Sequence, residues 1–215
     1  MFNKNHLLYP KLFELFQTTS EVSYKKRATI YTKSSVASRV FLIKKGAVKI
    51  YDYHEGHKRT KAIWYQNDFF GFDGILGKDR YSEYAEVLTS LLELQSIEIS
   101  EFENRLKSEY EICKDFFNCL EDRSQFWHRT FYKKSHDSRE GLIIDYLENL
   151  AIKIGVRVGF EILIPIVTTH QDIADLLGVS RQTVTTTLNT LKKENSIYYS
   201  RSRIIIRNQE GKIRQ

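Results

Sequence analysis

The amino-acid sequence predicts an α+β fold: an N-terminal β-roll (a double-stranded β-helix or jelly roll), then a long helix, then a C-terminal winged helix-turn-helix. Three observations carry this reading. Short β-rich runs alternate with turn residues from Ala28 to about Ile99, the spacing of a β-barrel or jelly roll. Beyond Ser100 apolar residues recur at three- and four-residue intervals, which is helical. From Thr169 to Val184 the chain reads as two short helices around a glycine turn, and a short basic hairpin follows.

A chain of 215 residues with 41% hydrophobic and 13% aromatic content is long enough for two modest cores. The formal net charge of +6 suits a polyanionic partner, and its distribution says more. From Thr168 to Gln215, Lys and Arg outnumber Asp and Glu by eight to four. Cys113 and Cys119 are six apart and form no Cys-x-x-Cys pair, so no disulfide framework, zinc site or iron–sulfur cluster is expected. A reducing cytoplasm is the simplest location. The opening Met1-Phe2-Asn3-Lys4-Asn5-His6 lacks a signal-peptide apolar region, and no run reaches the length of a membrane span, so no membrane partner is expected.

Leu8, Leu12, Phe13, Leu15 and Phe16 suit a short amphipathic leading helix over Leu7 to Phe16. Strands are read at Thr29-Ile30-Tyr31, Val40-Phe41-Leu42-Ile43, Ala47-Val48-Lys49-Ile50-Tyr51, Lys61-Ala62-Ile63-Trp64-Tyr65 and Leu91-Leu92-Glu93-Leu94. Gly46 marks a tight turn after Lys44-Lys45, and Glu55-Gly56 a hairpin tip. His54 and His57 straddle that tip, an arrangement more typical of a solvated turn than of a metal site.

Further on, Cys113, Phe116, Leu120, Arg123, Trp127 and Thr130 are spaced three, four, three, four and three, an a/d seam. Two readings fit: a helix packed on its own domain, or a two-helix dimer contact. A long aromatic-rich seam between two domains favours the second, with Phe116, Leu120, Arg123 and Trp127 as the dimer seam. Arg123 within it needs an anionic partner, which makes it a candidate ligand or cross-subunit contact. Lys133-Lys134-Ser135-His136-Asp137-Ser138 breaks the pattern and reads as a hinge. Leu142, Ile143, Tyr146, Leu147 and Leu150 then form another amphipathic helix.

Thr169 followed three residues later by Asp172 is a capping-box signature, opening a helix with Ile173, Leu176 and Leu177 on one face. Ala174 is small enough for a second helix to cross closely. Gly178 sits where the chain must turn sharply, and Ser180 caps the next helix, whose Val184, Leu188 and Leu191 face inward. Arg181, Gln182, Thr185, Thr186 and Asn189 face outward; all can hydrogen-bond to base edges or phosphates, and none is acidic. A helical hairpin with a solvated polar face has the same spacing, but the agreement of caps, glycine, small residue and outer face favours DNA. Thr169, His170 and Ser180 join the candidate DNA contacts. Past this helix, Ile197-Tyr198-Tyr199 and Ile204-Ile205-Ile206 flank Ser200-Arg201-Ser202-Arg203, a basic β-hairpin or wing that places Arg201 and Arg203 near the phosphate backbone.

This order of elements resembles the Crp/Fnr family of bacterial transcription regulators, and the resemblance runs over nearly the whole chain. It is carried by Ile30-Tyr31 through Leu42-Ile43-Lys44-Lys45-Gly46-Ala47-Val48, by Asn67-Asp68-Phe69-Phe70-Gly71, and above all by Ile173-Ala174-Asp175-Leu176-Leu177-Gly178-Val179-Ser180-Arg181-Gln182-Thr183-Val184. The resemblance implies a cyclic-nucleotide-binding-like sensor roll over 1–108, a dimerisation helix over 109–134 and a winged helix-turn-helix over 135–215. It also implies a homodimer on a two-fold symmetric operator of double-stranded DNA, with RNA polymerase a further partner. Arg181 then falls where family members commonly contact a guanine. Gln182 stands where the best-known cyclic-AMP-dependent member has Glu, and Thr186 where it has Arg, so an operator of similar style but different sequence is expected.

At the effector site the departures are larger. Cyclic-nucleotide members carry a Glu for the ribose just after the glycine equivalent to Gly71, and an Arg for the cyclic phosphate about ten residues on; here those places hold Phe72 and Ser82. Arg80 would need a two-residue shift to serve. The threonine–serine pair that touches the base aligns with Trp127-His128. Losing an Arg–phosphate pair is expensive, so cyclic nucleotide is disfavoured and no cofactor is expected. Phe72, Tyr84 and Trp127 are expected either to fill the old pocket or to line a site for an apolar effector; the pocket residues are then Phe72, Ser82, Tyr84, Arg123, Trp127 and His128. The first of these readings is preferred. Gly71-Phe72-Asp73-Gly74-Ile75-Leu76-Gly77-Lys78-Asp79 fails the phosphate-loop pattern at both Phe72 and Asp79, and no nucleophile elbow or His-Glu-x-x-His helix occurs, which argues against an enzyme. The alternative to a regulator is a ligand-sensing or protein-interaction roll with weak or no specific DNA binding.

Overall fold

A computed structural model describes residues 8–136, 138–165, 168–200 and 203–207, with the backbone alone over 126–136. The chain divides into two compact units, one ending at Gln125 and the other beginning at Phe126. In the first, β1 (Glu21–Lys25), β2 (Thr29–Tyr31), β3 (Arg39–Lys45), β4 (Ala47–His54), β5 (His57–Tyr65), β6 (Phe69–Phe70), β7 (Tyr84–Val87) and β8 (Leu91–Glu98) build two four-stranded sheets. Their orders are β1-β8-β3-β6 and β2-β7-β4-β5, and the paired strands are antiparallel. Three helices belong with this roll: α1 (Pro10–Glu14), α2 (Ile99–Ser108) and the first half of α3 (Tyr110–His136).

The uninterrupted apolar run in β3 follows from burial on both faces. Phe41 and Ile43 join the core inside the roll, with Tyr31, Val48, Ile50, Phe70, Val87 and Leu92. Val40 and Leu42 join a second core beneath the helices, with Leu12, Phe16, Phe69, Phe102, Ile112 and Phe116. Phe69 and Phe70 are divided between the same two cores. Each such side chain contributes about 1.5–3 kcal/mol when removed from water.

Strands β1, β6 and β7 escaped the sequence reading. β1 has no buried residue to mark an inward face and is held by its register on β8, from Glu21 opposite Gln95 to Lys25 opposite Leu91. The turns were legible. Gly46 has φ of +95°, and a Cβ there would meet Thr89 Oγ1 at 2.5 Å and Leu91 O at 2.6 Å. At the hairpin tip His54 pairs with His57, and both are exposed. The leading helix is shorter than its apolar spacing suggests, because Pro10 opens it at the first turn. The backbone N–H groups of Lys11 and Leu12 donate to the buried Asp115 carboxylate at 2.8 and 3.3 Å, which caps α1 from α3.

In the second unit, α4 (Arg139–Ile154) starts at the Ser138 cap and buries Leu142, Ile143, Tyr146, Leu147 and Leu150 as the periodicity requires. Helical backbone continues through Lys133 to His136, where the sequence reading expected a break, and Asp137 lies outside the described residues. Then come β9 (Val156–Val158), β10 (Glu161–Pro165), α5 (His170–Leu177), α6 (Arg181–Lys193), β11 (Ile197–Ser200) and β12 (Arg203–Ile206). The sheet order is β11-β12-β10-β9, and Tyr199 lies opposite Ile204 in the wing. β9 and β10 were also missed: Val156 and Val158 are both exposed, so β9 shows no buried face. Among the described residues no helix is long and apolar enough to cross a membrane.

Candidate nucleic-acid interface

The helix-turn-helix is built by short-range hydrogen bonds. Thr169 Oγ1 accepts from Asp172 N at 3.1 Å, while Asp172 Oδ2 accepts from Thr169 N at 2.9 Å, completing the capping box. Gly178 ends α5 in the left-handed conformation, φ 61°. Ser180 Oγ accepts from Thr183 N at 3.0 Å and opens α6. Ile173, Ala174, Leu177, Val184 and Leu188 are buried, whereas Leu176 and Leu191 are half-buried.

Arg181, Gln182, Thr186 and Asn189 are exposed along one side of α6, with Lys192 and Lys193 in its last turn. Thr185 differs from this row. It is half-buried, and its hydroxyl donates to Arg181 O at 3.0 Å. Because that single proton is used, the 2.9 Å contact with His170 must be a bond donated by His170 Nδ1–H to Thr185 Oγ1. His170 and Thr185 therefore brace α5 against α6. Burial, and after it the positive charge of Arg181, hold the His170 imidazole below its ordinary pKa. The Thr169 and Ser180 hydroxyls are engaged in caps. Arg203 is exposed on β12, while Arg201 lies outside the described residues. Sequence reasoning missed Tyr199, whose hydroxyl donates to Asn189 Oδ1 at 2.7 Å and whose ring lies 5.4 Å from the Lys192 ammonium. A tyrosine in a short strand carries no signal of its helix partner.

In the roll, the residues expected to share a pocket are separated. Phe72 is buried under the helices against Phe116, ring centroids 5.1 Å apart, and not inside the roll. Tyr84 stacks on Tyr51 at 5.2 Å, whereas its neighbours Ala85 and Val87 point into the roll core, so Tyr84 lies on the sheet's other face. What fills the interior is a run of rings the sequence did not single out: Phe70 on Phe41 at 4.9 Å, and Tyr31 on Tyr81 at 3.7 Å. The Trp127 and His128 side chains lie outside the described residues.

The seam is also corrected in part. Phe116 is buried in its own roll, Leu120 packs on the same core, and the Arg123 guanidinium lies 4.3 Å from the Trp64 ring and 4.9 Å from Phe72 while donating to Phe69 O. These residues face their own subunit because α3 rests on the strand layer through them. Arg123 thus takes ring faces and a carbonyl in place of the expected anion.

The loop where the resemblance implies a phosphate holds an internal anion. Asp73 Oδ1 accepts from Ser82 N and Lys78 Nζ, both at 3.2 Å, and from Ser82 Oγ. Arg80 points elsewhere and donates to Ser34 O. A cyclic phosphate there would meet the Asp73 carboxylate and no free arginine, so these residues do not fit a cyclic nucleotide.

A filled β-roll followed by a capped helix-turn-helix and a wing defines a DNA-binding transcription regulator. The model of the Crp-like helix-turn-helix domain matches residues 143–211, and that of the cyclic nucleotide-binding domain matches residues 21–109. The chain belongs to the Crp/Fnr family. It is 28% identical over 188 residues to the global nitrogen regulator of Nostoc sp., covering 86% of this chain and 83% of that one. The global nitrogen regulator of Synechocystis sp. is 27% identical over 188 residues, covering 86% and 84%. Among solved structures, FixK2 from Bradyrhizobium japonicum superposes with a TM-score of 0.77 at 18% identity, covering 91% of this chain and 96% of that one. A CooA mutant from Carboxydothermus hydrogenoformans has a TM-score of 0.70 at 21% identity, covering 91% and 86%. The family is one of transcription regulators rather than enzymes.

Proposed function

We propose that this chain acts as a cytoplasmic homodimer that reads a palindromic operator through α6, and that its roll works without a cyclic nucleotide. The observation that carries this is the exposed, acid-free row Arg181, Gln182, Thr186 and Asn189 on a helix capped at Ser180. Arg181 is assigned to a guanine through paired donors to O6 and N7, and Arg203 with Arg201 to the phosphate backbone. The roll over 1–108 serves as a sensor-derived scaffold, 109–134 as the dimerisation helix and 135–215 as the DNA reader, with RNA polymerase a further partner.

Support for nucleotide-free action comes from the Tyr31–Tyr81 and Phe41–Phe70 ring pairs within the roll and from the Asp73 carboxylate in the loop. The dimer contact belongs on the side of α3 next to the corrected seam, where Phe117 is 63% exposed. A single exposed ring is ordinary on a monomer; what supports Phe117 is its place on the same helix as the seam, turned away from the core that buries Phe116.

Selecting DNA from a random pool and titrating the winner against salt tests the reading. One palindromic site should be preferred, and six to ten phosphate contacts would cost about 10³–10⁵ in affinity between 50 and 200 mM salt. Absence of any preferred site at low salt would sink it. Millimolar cyclic AMP or cyclic GMP should leave the melting temperature unchanged, since a binder stabilises by mass action.

A further inference from the structure

The phenol of Tyr199 is held by three elements at once. Its hydroxyl donates to Asn189 Oδ1 on α6 at 2.7 Å, its ring centroid lies 5.9 Å from that of His170 at the start of α5, and it sits on wing strand β11. The Lys192 ammonium lies 5.4 Å from the same ring. Asn189 is one of the exposed residues in the outward row of α6. An amide side chain offers one acceptor oxygen and two N–H donors. Bidentate pairing with adenine uses both groups, the oxygen taking the N6 proton and the nitrogen giving one to N7. The Tyr199 bond uses one lone pair of Oδ1 and turns that oxygen to the wing, so the Nδ2 amine is the group directed to a partner outside the protein.

The geometry points to Tyr199 as a specificity-determining positioning residue: by holding Asn189 Oδ1 toward the wing it turns the amide away from the bidentate adenine geometry and presents its Nδ2 donors outward. A donor suits an acceptor on DNA, such as guanine O6 and N7, thymine O4 or a phosphate oxygen. Tyr199 itself touches no base. It acts through the orientation of one amide, and the inference rests on α6 being the helix that enters the groove.

The test uses the full chain, its selected site and every single base-pair variant of that site, compared for wild type, Tyr199→Phe, Asn189→Ala and Tyr199→Phe with Asn189→Ala. Circular dichroism melting confirms that each variant is folded. Tyr199→Phe frees Oδ1, so it is expected to gain about a tenfold preference for A·T at one base pair, and adding Asn189→Ala is expected to abolish that gain. Asn189→Ala alone separates the acceptors: if Asn189 donates to a base, wild type discriminates at that same base pair and the single variant loses that discrimination; if it donates to phosphate, wild type is indifferent there and the single variant binds every site more weakly by the same factor. A Tyr199→Phe profile identical to wild type, or weakened uniformly at every position, overturns the proposal. In the DNA-free protein, Tyr199→Phe should move the NMR signals of the Asn189 side-chain amide. Unmoved signals overturn the latch whatever the groove assignment, whereas a wild type with no preferred site overturns the groove assignment alone.

Discussion

The guanidinium of Arg123 lies over the indole of Trp64, 4.3 Å from the ring centroid. It also approaches the Phe72 ring and donates to Phe69 O, so one cation ties α3 to β5, β6 and the loop that follows. Cation–π contact and a charged hydrogen bond in a partly buried place are each worth about 1–3 kcal/mol. Arg123→Ala is therefore expected to lower unfolding free energy by about 2–4 kcal/mol in urea titration. A loss below half a kilocalorie would show the stack to be idle.

Arg181 stands at the first turn of α6, exposed, with its charge near enough to His170 to lower that imidazole's pKa. Replacing it with alanine should cost about 1–3 kcal/mol at one base pair and relax preference there, leaving affinity for random DNA nearly unchanged. Equal losses on specific and random sequences would assign Arg181 to phosphate instead.

Phe117 carries the dimer proposal. Phe117→Glu places a charge on the exposed face and gives up one ring contact with Phe116, centroids 6.2 Å apart, while Phe116 stays buried; light scattering should report monomers and the roll should still melt cooperatively. An unchanged mass would move the contact off this face.

The pH response of the helix-turn-helix follows from His170. Its pKa is lowered in the folded chain, by burial and then by Arg181, so between the unfolded value near 6.5 and the folded one the unfolded chain binds a proton that the folded chain refuses. Its contribution to stability is complete above about pH 6.5 and diminishes as the solution is acidified below that value. Wild type should lose more melting temperature than His170→Gln between pH 7.5 and 5.5; parallel slopes would place the titration elsewhere.

What the sequence by itself determined lies within a few residues of chain. The Thr169–Asp172 capping box, Gly178, the Ser180 cap, the inward Val184 and Leu188 and the exposed Arg181, Gln182, Thr186 and Asn189 all follow from spacing of three and four, because caps and helix faces are local interactions. Most roll strands were legible for the same reason, and β1 was not, having no buried side chain to mark it. Only the tertiary structure decided the rest. Arg123 meets Phe69 across 54 residues, Tyr31 stacks on Tyr81, Phe116 turns to its own roll while Phe117 does not, and Tyr199 takes the Asn189 oxygen. Periodicity places a residue on a face, but which element covers that face depends on how distant segments pack, and that is where this chain's filled roll and its restricted asparagine were settled.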